Sequence, residues 1–247
     1  MTNKITVDKS TLETFISKYH LGGNIESVIW TSDGKKLQTR FVSDSRSLLG
    51  SVILNNFITN EELELGIYST SKLVRLLSVI LNKTIDMKVV SVDDKARSIE
   101  LMGDGTNIHF NLSSLDVIPS VPKQKEIPKF ETSIKVTPEF VDRFLRGCAA
   151  LPEVTTFFVN VTKDSAKVTI GYTSVPSNSV VIDVETQLSK PMENVTFPAN
   201  MMKEVFAANK GSDSATLEIS EKGLAKAEFV SGDFKSTYYI VSVEEGK

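Results

Sequence analysis

The sequence predicts an α+β protein of two similar domains, in which four helices lie on one face of mainly antiparallel sheets. Three observations predict this class. A unit of one strand, one helix and three further strands (βαβββ) occurs four times along the 247 residues. Short turns join the strands, which favours antiparallel pairing. Residues 118–130, between the second and third units, contain three prolines and are typical of an extended connector. We therefore expect domains at residues 1–117 and 131–247, joined by this connector.

The third unit shows the pattern most clearly. After a strand at residues 133–136, Thr137, Pro138 and Glu139 form a helix start, with a hydroxyl cap, a proline and an acid in the first turn. Apolar side chains then recur at spacings of three and four on one helix face: Phe140, Val141, Phe144, Leu145 and Cys148. Beyond Pro152, β-branched sequence over residues 155–173, broken at Lys163 and Asp164, predicts a hairpin, and residues 180–186 predict a further strand.

The other three units repeat this order. The first has a strand at 5–7, a helix capped by Ser10 and stopped at Gly22 and Gly23, and strands at 25–31, 36–42 and 48–54. The second has a strand at 63–68, a helix over 70–81, and strands at 85–92, 97–101 and 108–112. The fourth has a strand at 195–197, a helix over 200–209, and strands at 215–219, 225–229 and 236–243.

Composition excludes several kinds of site. The chain has a net charge of −3, one cysteine and two histidines, too few ligands for an internal disulfide or a structural zinc cluster. Cys148 lies on the apolar helix face and is expected in the core rather than as a nucleophile. The longest apolar stretch, residues 73–81, is too short to span a bilayer, and the N-terminal residues lack the apolar stretch of a signal peptide. We therefore expect a cytoplasmic protein.

The sequence offers no set of residues that catalysis would require. Phosphate-binding loops, serine-hydrolase elbows and nucleophile–base pairs are missing from it. Residues 103–105 and 93–94 are typical of turns, and His20 and His109 are expected to be structural or exposed. We therefore expect no enzyme, no cofactor and no metal site.

Three stretches resemble a known family. Residues 69–78 (STSKLVRLLS), 134–146 and 197–205, each followed by strand-rich sequence, are similar to the DNA sliding clamps, in particular the DNA polymerase clamps of T-even-type bacteriophages. The resemblance spans the whole chain and implies the sliding-clamp fold, with helices lining a ring and antiparallel sheets outside. It implies a homotrimer around double-stranded DNA that acts as a processivity factor. The implied partners are a replicative DNA polymerase, an ATP-driven clamp loader and late-transcription factors, in the cytoplasm of a bacterial host during phage infection.

The distribution of charge agrees with such a ring. The helical stretches 9–20, 70–83, 138–150 and 199–210 hold nine Lys and Arg against four Asp and Glu, whereas the remainder holds 19 against 27. A basic lining would attract phosphate despite the net negative charge. Because no fixed pattern of base-reading side chains is present, contact with DNA should be independent of sequence and sensitive to salt.

The basic residues differ in their surroundings. Lys72, Arg75 and Lys83 have no acid between residues 70 and 83 and rank first as DNA-facing candidates. Lys203 and Lys210 follow, and then Lys9 and Lys18. Arg143 and Arg146 either face DNA or form local ion pairs with Glu139 and Asp142, four residues away. The alternative for all nine is an ordinary solvated helix face.

The resemblance also implies subunit and partner contacts. Two strand edges would join neighbouring subunits: Asn107, Ile108, His109, Phe110, Asn111 and Leu112 on one side, and Val180, Val181, Ile182, Asp183 and Val184 on the other. The alternative is that both are exposed, blunted edges. A pocket for partner peptides would be lined by Val117, Ile118, Val121, Ile127, Tyr238 and Tyr239, although apolar connector residues can also simply fix the connector in place.

Three functions remain open at this point. The first is a ring-shaped processivity clamp, and the second is a phage structural or assembly protein built from antiparallel sheets. The third is an enzyme whose site the sequence does not reveal. Positive charge concentrated on helices favours the first, because a structural protein has no need of it.

Overall fold

A computed structural model describes residues 4–122, 127–162, 165–173, 177–188 and 190–244. The expected hairpin break at Lys163 and Asp164 lies outside these ranges. The chain forms two compact units. Of the described residues, unit 1 holds 4–44, 50–122 and 233–235, and unit 2 holds 45–49, those from 127 to 232, and 236–244.

The elements follow the predicted βαβββ order except for one additional short strand, Thr186–Leu188, between the third and fourth units. The first half contains β1 (Lys4–Asp8), α1 (Lys9–His20), β2 (Val28–Ser32), β3 (Lys36–Val42), β4 (Leu48–Asn55), β5 (Leu63–Ile67), α2 (Thr70–Leu77), β6 (Thr84–Val92), β7 (Lys95–Gly103) and β8 (Thr106–Asn111). The second half contains β9 (Thr132–Lys135), α3 (Pro138–Ala150), β10 (Thr156–Val161), β11 (Ala166–Ile170), β12 (Val180–Val184), β13 (Thr186–Leu188), β14 (Met192–Pro198), α4 (Ala199–Ala208), β15 (Ser214–Ser220), β16 (Leu224–Ser231) and β17 (Phe234–Val241).

Each unit carries one helix pair and two sets of adjacent strands. In unit 1 the strands lie in the orders β1-β6-β7-β8 and β4-β3-β2-β5, and in unit 2 in the orders β12-β11-β10-β14 and β13-β9-β15-β16-β17. The pairings within the first and third of these sets are all antiparallel, which confirms the predicted antiparallel architecture. Helices α1 and α2 pack together on unit 1, and α3 and α4 pack together on unit 2.

The core of unit 1 is an aromatic cluster beneath α1. Phe15 and Tyr19, one turn apart on this helix, meet Trp30 of β2 edge to face at centroid distances of 5.5 and 6.3 Å. Burial of these large rings is the main stabilising contribution of the helix. The predicted cap of α1 is wrong: Asp8, not Ser10, occupies the cap position, and its carboxylate accepts hydrogen bonds from the Thr11 amide (3.0 Å) and the Ser10 hydroxyl (2.6 Å).

Helix α2 is shorter than predicted. It ends at Leu77 rather than Leu81, because the amides of Val79 and Ile80 bond to carbonyls three residues back and tighten the chain into turns. Ile80 remains buried, but Leu81 is 81% exposed. The apolar residues of the predicted helix over 70–81 are therefore divided between core and surface.

Unit 2 is organised by phenylalanines shared between its helices. Phe206 of α4 lies 5.6 Å from Phe140 and 5.1 Å from Phe144 of α3, and Phe144 lies 5.3 Å from Phe157 of β10. Cys148 is buried on the same face of α3, as predicted. Among the described residues, no helix has the length and apolar character needed to cross a membrane.

Candidate nucleic-acid interface and strand edges

Helix α2 presents the clearest basic surface of the chain. Lys72 and Arg75 lie one turn apart and are both exposed. Within the part of the chain that the structure describes, neither side chain has an ion pair or a hydrogen bond, and the helix contains no acid. Since none of the described groups neutralises these two cations, they are available to an external anion. Lys83 is also exposed but lies beyond the end of α2, immediately before β6.

Lys9 is held by the protein itself. Its ammonium group donates to the carbonyl oxygen of Ile80 at 2.5 Å and pairs with Glu13 at 3.5 Å. Its backbone amide donates to the carbonyl of Lys83 at 2.7 Å. Lys9 therefore ties the start of α1 to the segment after α2, and its charge is already partly compensated.

Lys18 does not belong to a DNA-facing surface. Only 3% of the residue is exposed, and its ammonium nitrogen lies 5.6 Å from the ring centroid of Phe234. Desolvation lowers the pKa of Lys18 to about 8. The prediction is wrong because Phe234, which is distant in sequence, covers a position that the helical pattern places near solvent.

The basic residues of unit 2 have local partners. Lys210 pairs with Asp142 of α3 at 2.9 Å, and Lys203 pairs with Glu204 at 3.4 Å. The hydrogen bond from Lys210, followed by its charge, lowers the pKa of Asp142. Arg143 donates to the backbone carbonyl of Glu139 at 3.3 Å. Of the two alternatives for Arg143 and Arg146, the local ion pairs are not formed among the described residues, since Asp142 pairs instead with Lys210, two residues beyond the end of α4.

Arg143 and Arg146 are exposed on α3. That helix also carries Glu139 and Asp142, so its formal charge is zero. The two helix pairs thus differ in electrostatics: α2 carries unopposed positive charge, whereas basic side chains of α3 and α4 lie beside acids. Lys72 and Arg75 are the strongest candidates for phosphate contact.

Sequence reasoning missed a polar cluster at the start of α2. The Nε2 atom of His20 lies 3.1 Å from both the Glu26 carboxylate and the Ser71 hydroxyl. Glu26 also accepts hydrogen bonds from the Ser71 amide at 3.0 Å and from the Ser71 hydroxyl. Desolvation is the largest single influence on Glu26 and raises its pKa, but the bonds from Ser71 and His20 together lower it below its usual value.

The geometry of this cluster indicates helix capping. Ser69, at the cap position of α2, makes no side-chain capping bond, and Glu26 satisfies the first-turn amide of Ser71 instead. In a nucleophile triad a histidine stands between the serine and the acid. Here the serine donates directly to the carboxylate, so the arrangement stabilises the helix start. No local sequence signal connects these three positions.

Strands β8 and β12 both end a row of strands, as the subunit-interface prediction requires. β8 follows β7 at one end of its row, and β12 precedes β11 at one end of the other. Ile108, Phe110 and Ile182 are buried beneath these edges, whereas His109 and Asp183 are exposed. Val181 is 55% exposed on β12. Exposed edges with apolar side chains favour pairing with another strand.

The apolar residues proposed for partner binding have different environments. Val117 and Ile127 are exposed, Val121 and Tyr239 are half-buried, and Ile118 is buried. Tyr238 cannot line a surface pocket, because it is fully buried and its hydroxyl accepts a hydrogen bond from Asn209 at 2.8 Å. Adjacent residues of a strand point to opposite faces, which could have excluded one of the two tyrosines in advance.

The cysteine has the properties of a core residue. Desolvation raises the pKa of the Cys148 thiol to about 11, so the thiol is protonated at neutral pH and is a poor nucleophile. The described residues include no group of three or more histidines, cysteines or acids placed to hold a metal ion.

Comparison with known proteins identifies the fold. No protein-family model and no curated protein sequence matches the chain. Among solved structures, the chain is similar to Proliferating Cellular Nuclear Antigen from Entamoeba histolytica, with 13% identity, a TM-score of 0.76 and 98% of each chain covered. It is also similar to A. fulgidus PCNA, solved with the C-terminal region of FEN-1 bound, with 14% identity, a TM-score of 0.77, and 99% of this chain and 100% of that chain covered. The chain therefore has the PCNA-type sliding-clamp fold, as predicted.

Proposed function

We propose, from a sliding-clamp fold that extends over the full length of the chain, that this protein is a DNA polymerase processivity factor. Copies of it encircle duplex DNA and tether the replicative polymerase. The observation that carries this proposal is the coverage of 98% or more of both chains in the comparisons with PCNA structures. The protein acts as a scaffold rather than as an enzyme, with residues 1–117 and 131–247 as its two clamp domains and 118–130 as their connector.

The basic surface of α2 supplies the contact with DNA. Lys72 and Arg75 are exposed and have no acidic partner among the described residues, so they are available to phosphate oxygens. The chain as a whole is acidic, with a net charge of −3, which prevents strong general binding to nucleic acid. A ring needs no tight grip, because its topology prevents dissociation. A few phosphate contacts that exchange readily allow it to slide.

Copies of the chain join head to tail into a homotrimer through the edges of β8 and β12. The two edges differ in sequence, as a closed ring built from one kind of subunit requires. An exposed apolar side chain on one of these edges supports this assembly, since Val181 of β12 is 55% exposed. This side chain is unfavourable in an isolated subunit and would gain burial on association.

The partners follow from the same function. They are a replicative DNA polymerase, an ATP-driven clamp loader and, by the resemblance to T-even-type phage clamps, late-transcription factors in an infected bacterial cytoplasm. One PCNA structure was solved with the C-terminal region of FEN-1 bound, which supports binding of partner tails here too. Val117 and Ile127 at the connector are exposed and are our candidates for such contacts.

Retention on circular DNA tests this function. The protein is loaded onto a nicked circular plasmid attached to beads, washed in high salt, and then exposed to a restriction enzyme that cuts once. A ring remains through the wash and is released when the DNA becomes linear, whereas a protein held by charge leaves in the wash. Retention of the protein after linearisation, or no retention on the circle, would contradict the proposal. A phage structural or assembly protein would give the latter result.

A further inference from the structure

We propose that His109 on β8 of one copy lies directly opposite Asp183 on β12 of the next copy, and that this pair makes the subunit junction sensitive to pH. The inference rests on the proposed ring and specifies how its copies meet. It uses two strand edges for which the structure gives the free backbone groups, the exposed side chains and the neighbouring charges.

Among the described residues, the backbone groups of β8 that have no partner strand are those of its odd-numbered residues. The amide of Leu112 donates to the carbonyl of Arg97 at 2.8 Å across the β8–β7 ladder. Backbone groups in an antiparallel strand alternate between its two neighbours, so Ile108 and Phe110 also bond to β7. Asn107, His109 and Asn111 therefore direct their amides and carbonyls to the open edge.

The same reasoning identifies the free groups of β12. The amide of Gly171 donates to the carbonyl of Thr156 on the β10 side at 3.2 Å. Odd-numbered residues of β11 therefore direct their backbone groups to β10, and even-numbered residues direct theirs to β12. Their partners are Val180, Ile182 and Val184. Val181 and Asp183 are left with amides and carbonyls directed to the open edge.

These free groups allow few registers. We expect antiparallel pairing, as in the rows that β8 and β12 already end. Asp183 then meets Asn107, His109 or Asn111. The pairing with Asn111 places only the last two residues of β8 within β12 and is the weakest. The pairing with Asn107 places His109 against Val181. The pairing with His109 places Val181 against Asn111 and Phe110 against Ile182, whereas the pairing with Asn107 places Ile108 against Ile182, so buried residues meet on the inner face in both.

Charge, together with the length of the overlap, favours the pairing with His109. On unit 1, Lys88 bonds to Glu100 at 3.2 Å, and Glu100 is the direct cross-strand neighbour of His109. On unit 2, Asp183 is the direct cross-strand neighbour of Lys167. Placing Asp183 opposite His109 extends these rows into one ladder of alternating charge across five strands, since opposite charges on facing positions stabilise a sheet. The register with Asn107 leaves both His109 and Asp183 facing uncharged residues, and the register with Asn111 gives His109 the carboxylate of Glu185 but leaves Asp183 facing Asn111.

The pair makes assembly sensitive to pH. In the isolated subunit, Nε2 of His109 donates one hydrogen bond to Oδ1 of Asn111 at 3.1 Å, and Glu100, held by Lys88, faces His109 from β7. In the junction, Asp183 of the next copy also lies opposite His109, and Lys167 lies on the far side of Asp183. The added carboxylate favours the protonated imidazole, so assembly takes up a proton. Histidine changes its charge between about pH 5 and 8, so assembly strengthens as pH falls through this range and weakens as pH rises.

Cysteine pairs test the register. In a Cys148→Ala background, His109→Cys with Asp183→Cys is compared with two controls, Asn107→Cys with Asp183→Cys and Asn111→Cys with Asp183→Cys. Hydrogen-bonded antiparallel partners have Cα atoms about 5.5 Å apart, within disulfide range. A shift of two residues separates them by roughly 8 Å, outside that range. We expect covalent multimers after mild oxidation only for the 109/183 pair, read on a non-reducing gel.

Each outcome has a distinct meaning. Cross-linking of a control pair but not of 109/183 overturns the register and leaves the β8–β12 junction intact. If no pair cross-links while the wild-type protein is multimeric, the junction lies elsewhere and the inference fails. A monomeric wild-type protein overturns the proposed function itself.

Sedimentation of the wild-type protein and of His109→Asn from pH 6 to 8 tests the charge pair. We expect the wild-type dissociation constant to be about two- to fivefold lower at pH 6 than at pH 8 for each junction, and the His109→Asn value to be nearly independent of pH. An equal pH dependence in both proteins overturns the role of His109.

Discussion

Reversing the charge of α2 should weaken clamp function without unfolding the protein. The variant Lys72→Glu/Arg75→Glu changes the helix from two positive to two negative charges. Both side chains are exposed and have no ion pair among the described residues, so no internal interaction is lost. Glu at position 72 lies in the first turn, where the helix dipole favours it, and Glu at position 75 lies in the last turn, where the dipole opposes it, each by about 0.3–1 kcal/mol. The two effects oppose each other, and stability should change by less than about 0.5 kcal/mol.

The loss of DNA affinity can be worked from counterion release. Each phosphate contact contributes about 0.9 to the slope of the logarithm of the binding constant against the logarithm of salt concentration. Loss of two contacts in one subunit lowers that slope by about 1.8. At about 0.1 M salt the loss corresponds to roughly 60-fold in affinity, or about 2.4 kcal/mol. Repulsion between the new glutamates and phosphate adds to this loss.

Primer extension with the protein's own polymerase and loader is the assay. The matched control is Lys35→Glu/Lys95→Glu, which makes the same charge change at two exposed positions beside hairpin turns of unit 1. We expect the α2 variant to shorten extension products and to weaken their salt dependence, and the control to behave as the wild type. If the α2 variant supports full-length extension, or if both variants fail equally, the assignment of α2 to the DNA-facing surface is wrong.

Three further predictions concern the scaffold. Glu26→Gln should destabilise the protein by about 1 kcal/mol through loss of the carboxylate cap on α2. Because folding lowers the pKa of Glu26 below 4.5, the wild type should be the more stable protein above pH 4.5. Chemical denaturation should show this difference in stability disappear as pH falls through the pKa of Glu26 in the folded protein. Lys18→Met should remove a pH dependence: the folded pKa is about 8 and the unfolded one 10.5, so the unfolded chain binds more protons between these values. The wild-type free energy of unfolding should therefore rise with pH relative to the variant by about 3 kcal/mol, and parallel curves would contradict the burial of a titrating lysine. Gly66→Ala should cost about 1–3 kcal/mol, because its Cβ would press on the backbone carbonyl of Ser113; an unchanged denaturation midpoint would show that this approach is looser than the structure indicates.

Most of the fold could be predicted from the sequence because its signals are local. The bounds of α3 and of β3 follow from a cap, an apolar period and turn residues that lie within each segment. The antiparallel architecture follows from strands joined by short turns. The repeated βαβββ unit then limits the arrangement, since each unit must bury the apolar face of its own helix.

The errors arise where tertiary contacts decide. Lys18 is covered by Phe234, more than two hundred residues away, and Tyr238 is drawn into the core by Asn209. The periodicity of a helix or strand contains no information about contacts with residues that are distant in sequence. Asp142 likewise pairs with Lys210 rather than with Arg146, although the four-residue spacing of Asp142 and Arg146 would suit an ion pair on an isolated helix. The positive charge of α2 could be predicted because it depends on the local sequence alone: the helix contains no acid that could neutralise it.

The mass of the protein in solution tests the account most directly, because the DNA-facing surface, the strand edges and sliding all depend on a ring. Multi-angle light scattering over a dilution series, at salt concentrations that span the physiological range, measures it without any partner protein. The account predicts a species of three times 27.2 kDa that dissociates only on dilution. A mass of 27.2 kDa at every concentration would contradict it.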